Sequence, residues 1–161
     1  MASINVRRAE ISDVPAIFRV RTSFTVNSMT EAEMATIVIT PESVERMLET
    51  QEARAWCIDA EDDVVGFSLA FRNEREISGL FVLPNYEKRG FGSALLDEAV
   101  EWLESHSSEP ISLVADRDTP AYRFYTKRGW VDLGYGPGDE VLEGDIYMEY
   151  RSKIREEGAS T

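Results

Sequence analysis

The stretch "LFVLPNYEKRGFGSALLDEAVEWLE", residues 80–104, changes its hydrophobic period in the middle. It opens as a short continuous apolar run, the pattern of a buried strand. It closes with Phe91, Leu95, Ala99, Trp102 and Leu103 at helical spacing and Asp97, Glu98, Glu101 and Glu104 on the other side. Lys88, Arg89, Gly90 and Gly92 fill the joint. A chain that leaves a strand at Pro84 and enters a helix near Gly90 must expose the first N–H groups of that helix, which have no carbonyl one turn earlier to bond. The helix dipole adds about 0.3–1 kcal/mol per favourable charge at an exposed end. Glycines at 90 and 92 let a bulky anion approach the main chain with no Cβ in the way. The joint, through Ser93, therefore reads as a site for a diphosphate, with Lys88 and Arg89 adding charge. The plainer alternative is a tight turn carrying a solvated basic pair.

Two other phosphate-binding patterns are excluded by spacing. The dinucleotide fingerprint GxGxxG would need glycine where Leu95 stands, and no GxxxxGK[ST] occurs anywhere.

The rest of the chain supplies a setting for the joint. Residues 4–9 alternate like a short strand. A helix follows with Ser12 as its expected cap, Pro15 in the first turn and Val14, Ile17, Phe18 and Val20 apolar. Residues 25–40 have no clear pattern. Thr40, Pro41 and Glu42 then read as cap, first helical proline and dipole-matched acid. Three strand-like runs, residues 54–59, 64–71 and 76–82, are separated by links of hairpin length and predict an antiparallel meander. After the helix of the joint come a strand at 111–116, a helix at 119–129 capped by Asp118 or Thr119 and stopped at Gly129, and two closing strands. This order predicts a mixed sheet with helices on both faces.

At 161 residues the chain suits one domain, with a flexible tail from residue 154. A formal charge of −13 disfavours nucleic acid and anionic membrane, both of which bind through Lys and Arg clusters. It does not forbid a local anion site, because exposed charges beyond a Debye length of about 8 Å are screened. One cysteine, Cys57, and one histidine, His106, cannot assemble the usual zinc sets, so no metal is expected. His106 reads as a dipole partner at a helix end and Cys57 as an inert core thiol. No apolar run approaches the roughly 20 residues of a membrane span, and the start "MASINVRRAE" lacks the apolar segment of a signal peptide. A cytoplasmic protein is expected.

With these residues in view, the chain resembles the GNAT superfamily of acetyl-CoA-dependent N-acetyltransferases. Its donor loop [QR]xxGx[GA] is similar to "EKRGFG", with Glu87 where the family has Gln or Arg. A second stretch, "LVADRDTPAYRFYTKRGW", matches the family's later motif at Ala121, Phe124, Tyr125, Gly129 and Trp130, with Asp118 in place of the common Asn. The likeness spans residues 4–150. It implies an α+β fold: a mixed, mostly antiparallel sheet of about seven strands flanked by helices on both faces. It also implies that acetyl-CoA lies in a gap between splayed parallel strands, against backbone groups of Phe81 and Val82. Lys88, Arg89, Gly90, Gly92 and Ser93 would stand at its diphosphate, and Asp118 near the far end of its arm.

The implied chemistry is direct attack of an amine on the thioester in a ternary complex. An alkylamine with a reference pKa near 10.4 must first lose a proton, and the resemblance offers Glu76 as the base. The same position also suits a hairpin-end residue paired with Arg72 or Arg75. A backbone N–H near Phe81 or Val82 would stabilise the developing oxyanion. Tyr125 would protonate the leaving thiolate, although its helical face equally suits core packing. The acceptor is a primary amine of a small molecule or peptide. Asp139, Glu140, Glu143 and Asp145 favour a cationic one if they face the cleft, and an open strand edge leaves room for a homodimer. The rival reading is a non-catalytic acyl-CoA sensor.

Overall fold

The structure, a computed structural model, describes residues 5–22, 40–87, 89–135 and 145–151. Seven strands form one sheet: β1 (Val6–Arg8), β2 (Ala53–Ala60), β3 (Asp63–Phe71), β4 (Glu76–Val82), β5 (Ile111–Asp116), β6 (Val131–Asp132) and β7 (Asp145–Tyr150). Their spatial order is β1-β2-β3-β4-β5-β7-β6. Every neighbouring pair is antiparallel except β4 and β5. The helices are α1 (Val14–Thr22), α2 (Pro41–Thr50), α3 (Phe91–Glu104) and α4 (Pro120–Lys127). The expected mixed sheet and element order are therefore present. The tail from residue 154 lies outside the described residues.

Local chemistry accounts for most element ends. Glu61 and Asp62 both take positive φ, 53° and 67°, in the two-residue link that reverses β2 into β3, as a right-twisted hairpin requires. Thr40 caps α2 by accepting from the Ser43 amide at 3.1 Å while Ser43 Oγ accepts from the Thr40 amide, an arrangement worth about 1 kcal/mol. The first helix departs from expectation. A short turn at Ile11–Asp13 precedes it, and the cap is Glu10, not Ser12, because Asp13 reaches back to the Glu10 amide at 2.7 Å. Arg7 on β1 then holds Asp13 through two bonds of 2.8 Å. The cap of α4 is Thr119, not Asp118. Its hydroxyl donates to the Asp116 carbonyl at 2.6 Å and leaves the helix amides alone.

The sheet is covered on both faces. On one, Leu95, Leu96, Ala99 and Leu103 of α3 are at most 1% exposed, and Trp102 meets Trp56 edge-on at 5.9 Å. Each of the three leucines contributes about 1.5–3 kcal/mol by burial. On the other, α1 and α2 cover β2 and β3 with Ile17, Val20, Val14 and Val44. Ser68 is the one fully buried polar side chain in the described core, and its hydroxyl donates to the Leu95 carbonyl at 3.1 Å, tying α3 to β3.

Two features of β4 open a gap in the sheet. Leu69 pairs with Gly79 but Ala70 pairs with Ile77, so Ser78 is an extra residue on β4, a bulge that bends the strand. A Cβ on Gly79 would lie 3.0 Å from the Phe67 ring, so any side chain there would push that ring back by a few tenths of an ångström. Beyond it, β4 departs from β5: the register between them contains one pair, Glu76 opposite Ser112.

Candidate active site

The departure of β4 from β5 leaves a wedge with one strand edge on each wall. Leu83 donates to the Val65 carbonyl at 2.8 Å, so by strand alternation Phe81 also turns its N–H and C=O toward β3. The N–H and C=O of Val82, and those of Leu80, face the wedge. Of the two backbone positions expected at the gap, Val82 is the one that opens onto it. The Phe81 ring stacks on Phe67 at 5.6 Å, beneath the Arg21 guanidinium at 4.5 Å.

At the mouth of the wedge the chain passes through the turn Pro84–Tyr86 into α3. Gly90 is its cap, with φ 84°, a conformation that disfavours a side chain. A glycine cap offers no side-chain acceptor, and the first closing bond is Ala94 N–H to Gly90 C=O at 3.1 Å. The amides of Phe91, Gly92 and Ser93 are thus left without carbonyl partners in the helix. A Cβ at Gly92 would meet only the Phe124 ring, at an ordinary 3.7 Å. Protein packing therefore does not demand glycine there. Arg89 is exposed, with its guanidinium 5.1 Å from the centre of the Tyr86 ring, which stacks on Phe91. Lys88 lies outside the described residues. Glu87 is exposed beside the turn.

The sequence did not single out Arg128, which reads there only as part of a helix stop. It donates to Ser93 Oγ at 3.1 Å and to Asp97 at 2.5 Å, and lies over the Phe124 ring at 5.7 Å. The end of α4 thereby brings a second guanidinium to the first turn of α3. Its only signal in the sequence was a cation in the last turn of the helix that carries Tyr125.

Orphan amides, room at Gly92, flanking guanidiniums and an open strand edge together fit a phosphorylated donor with an extended amide-bearing arm. A family model described as the acetyltransferase (GNAT) family matches residues 25–130. The chain belongs to the GNAT acetyltransferase family. The fold of this acetyltransferase is similar to several solved structures. PaiA N-acetyltransferase from Thermoplasma acidophilum, crystallised with coenzyme A, is 18% identical with a TM-score of 0.72, over 94% of this chain and 100% of that one. The ribosomal-protein-S18-alanine N-acetyltransferase of Escherichia coli is 17% identical with a TM-score of 0.68, over 92% and 94%. Ard1 from Thermoplasma volcanium is 19% identical with a TM-score of 0.68, over 93% and 97%. No curated protein matches by sequence.

The remaining side chains of the acetyltransferase sort by surroundings. Tyr125 is 7% exposed, edge-on to Phe124 and tilted against Trp130 at 5.8 Å. Its hydroxyl bonds to no group among the described residues, and burial pushes its phenol well above the ordinary range. Glu76 is half-buried at the closed end of the wedge, and burial, then the neighbouring charge of Glu74, raise its carboxyl. Among the described residues neither Arg72 nor Arg75 pairs with it. Arg75 instead spends its guanidinium on main-chain carbonyls.

Asp118 is exposed, and its amide donates to Asp116 Oδ1 at 2.8 Å, which shapes the turn into α4. That turn is anchored from β6: Asp132 accepts from Arg117 at 2.7 and 3.0 Å, from the Tyr122 hydroxyl at 3.0 Å and from the Gly134 amide at 2.8 Å. The Arg117 guanidinium holds the Asp132 carboxyl down at about 2. Asp139, Glu140 and Glu143, and the side chain of Asp145, lie outside the described residues. His106 sits exposed past the end of α3 with its ring edge-on to Trp102 at 5.2 Å. Cys57 is fully buried, and desolvation pushes its thiol up to about 12, which leaves it unreactive. Among the described residues no helix is long and apolar enough to cross a membrane.

Proposed function

We propose that this acetyltransferase binds acetyl-CoA along the open edge of β4 and at the first turn of α3, and passes the acetyl group to a primary amine of a small molecule or peptide. The observation that carries the reading is the single Glu76–Ser112 pair, which leaves the Val82 edge unpaired beside the orphan amides of α3. When bound, acetyl-CoA supplies an acetyl group already activated as a thioester. The amides of Phe91, Gly92 and Ser93, with Arg89, Lys88 and Arg128, hold its diphosphate end. The backbone of Val82 orients its arm in line with β4, and Asp118 stands at the opposite wall.

Glu76 is the base in this proposal. Its raised carboxyl brings it nearer the proton affinity of the ammonium it must deprotonate, whether directly or through water. Tyr125 is the acid. Its phenol keeps the proton on Oη throughout the neutral range, ready for the leaving group. The wedge carries the half-buried Glu76 carboxyl at its closed end, which favours a cationic acceptor. The buried free thiol of Cys57 suits a reducing compartment, which supports a cytoplasmic location.

Calorimetry with acetyl-CoA, and thiol release across a panel of small amines and peptide N-termini, test this reading. Binding without thiol release from any amine would leave a sensor rather than an enzyme. Absence of acetyl-CoA binding would remove the proposal altogether.

A further inference from the structure

Arg75 ends the link between β3 and β4, one residue before Glu76, with φ 51°. That left-handed conformation costs a residue with a Cβ about 1–2 kcal/mol, and turns meet it most cheaply with glycine, asparagine or aspartate. A long cation in this place has another occupation. Its guanidinium donates to the carbonyls of Leu103 at 2.8 Å, Ser107 at 2.9 Å, and Glu109 at 2.7 and 3.2 Å. Leu103 belongs to the last turn of α3, where the dipole favours a cation, and its carbonyl also accepts from the His106 and Ser107 amides at 3.1 and 3.3 Å. Ser107 and Glu109 lie on the segment leading into β5. The main-chain carbonyl of Arg75 accepts from the Ser112 amide at 2.9 Å.

One residue thus joins the end of α3, the entry to β5 and the start of β4. Next to it lies the Glu76–Ser112 pair, the one point where the two walls of the wedge meet in register. We infer that Arg75 is a positioning residue: it clasps the closed end of the β4–β5 wedge and so sets where the open edge of β4 stands relative to α3. It touches neither donor nor acceptor. The inference rests on the reading of the wedge as the acetyl-CoA site.

R75G is the informative variant, because glycine suits φ 51° and keeps the turn while the guanidinium is lost. Its calorimetric Kd for acetyl-CoA should rise by about tenfold or more, because a strand edge that is no longer held in place loses the preorganisation on which affinity depends. KM for acetyl-CoA should rise with it at little change in kcat, and the Ser112 amide should exchange faster. A role confined to stability would lower the melting temperature and leave Kd and KM alone. R75G binding acetyl-CoA as wild type does would overturn the inference. Should R75G not fold, R75K decides, since its single ammonium cannot span three carbonyls: weakened binding supports the clasp and wild-type binding removes it. If the wild-type enzyme itself fails to bind acetyl-CoA, the fault lies in the reading of the wedge. Unchanged exchange at Ser112 in R75G would then count separately against the clasp.

Discussion

Glu76 and Ser112 face each other in the one register pair that β4 and β5 share among the described residues. A parallel pair joined at one point can open like a hinge, and the bulge at Ser78 bends β4 away immediately afterwards. The result is an unpaired strand edge in the interior of the sheet, not at its margin. Unpaired N–H and C=O groups on a strand edge invite pairing by another extended chain. Here the neighbouring helix start leaves the amides of Phe91, Gly92 and Ser93 without helical partners at the same opening.

Gly92 separates packing from binding. A Cβ there meets only the Phe124 ring, at an ordinary contact distance, and alanine is the better helix former by up to about 1 kcal/mol. G92A should melt at or slightly above the wild-type temperature yet bind acetyl-CoA about tenfold or more weaker, because the added methyl crowds the orphan amides proposed to hold the diphosphate. Thermal melts and calorimetry on the same preparation check both halves.

Tyr125 is expected to act in the chemical step alone. Its hydroxyl makes no bond among the described residues, so Y125F should cost little stability and leave the Kd for acetyl-CoA unchanged. Loss of a general acid should lower kcat by about 10²–10⁴-fold. Because burial raises the phenol, a basic limb arising from Tyr125 belongs above its reference value near 10. Wild-type kcat in Y125F would assign the ring to packing with Phe124 and Trp130.

The pH dependence of kcat/KM should carry the mark of Glu76. Its carboxyl is raised, by burial first and then by Glu74, so the acid limb should lie above the ordinary value of 4.5. E76Q should abolish that limb along with most of the activity. Stability carries the opposite sign. A raised carboxyl holds its proton more tightly when folded, so its contribution is present below 4.5 and declines as pH rises through the folded value. E76Q should remove that decline, as denaturant titrations at a series of pH values would reveal.

Asp132 gives an acid-side counterpart. The Arg117 guanidinium holds its carboxyl down to about 2 from 3.8, so its stabilisation is present above 3.8 and fades as pH falls toward about 2. D132N should lose no more than about 1 kcal/mol at neutral pH, since the pair is solvent-screened, and should flatten the stability curve across that window. With the Arg117 and Tyr122 bonds to the carboxylate weakened, the turn bearing Asp118 should also show faster amide exchange.

What could be read along the chain was whatever neighbours in sequence decide. The hydrophobic periods announced the meander, the amphipathic α3 and the order of the elements. The glycines at 90 and 92 announced a helix start stripped of side-chain caps, and the motif around Tyr125 announced its helix. Such features follow from the period of side-chain direction and from backbone freedom, both properties of a few adjacent residues. The cap of the first helix is not the residue its neighbours favour, because Asp13, held by Arg7 six residues earlier on β1, outcompetes Ser12. Arg75 looks like a turn residue and Arg128 like a helix stop, since the carbonyls and hydroxyl they bind come from 28 to 35 residues away. The choice between Phe81 and Val82 depended on which edge of β4 was already taken by β3, and the wedge itself on a bulge that no local pattern marks. Short-range geometry wrote the parts of the site into the amino-acid order. Their alignment into one cleft came only with the fold, because it is made of contacts between segments that the chain keeps far apart.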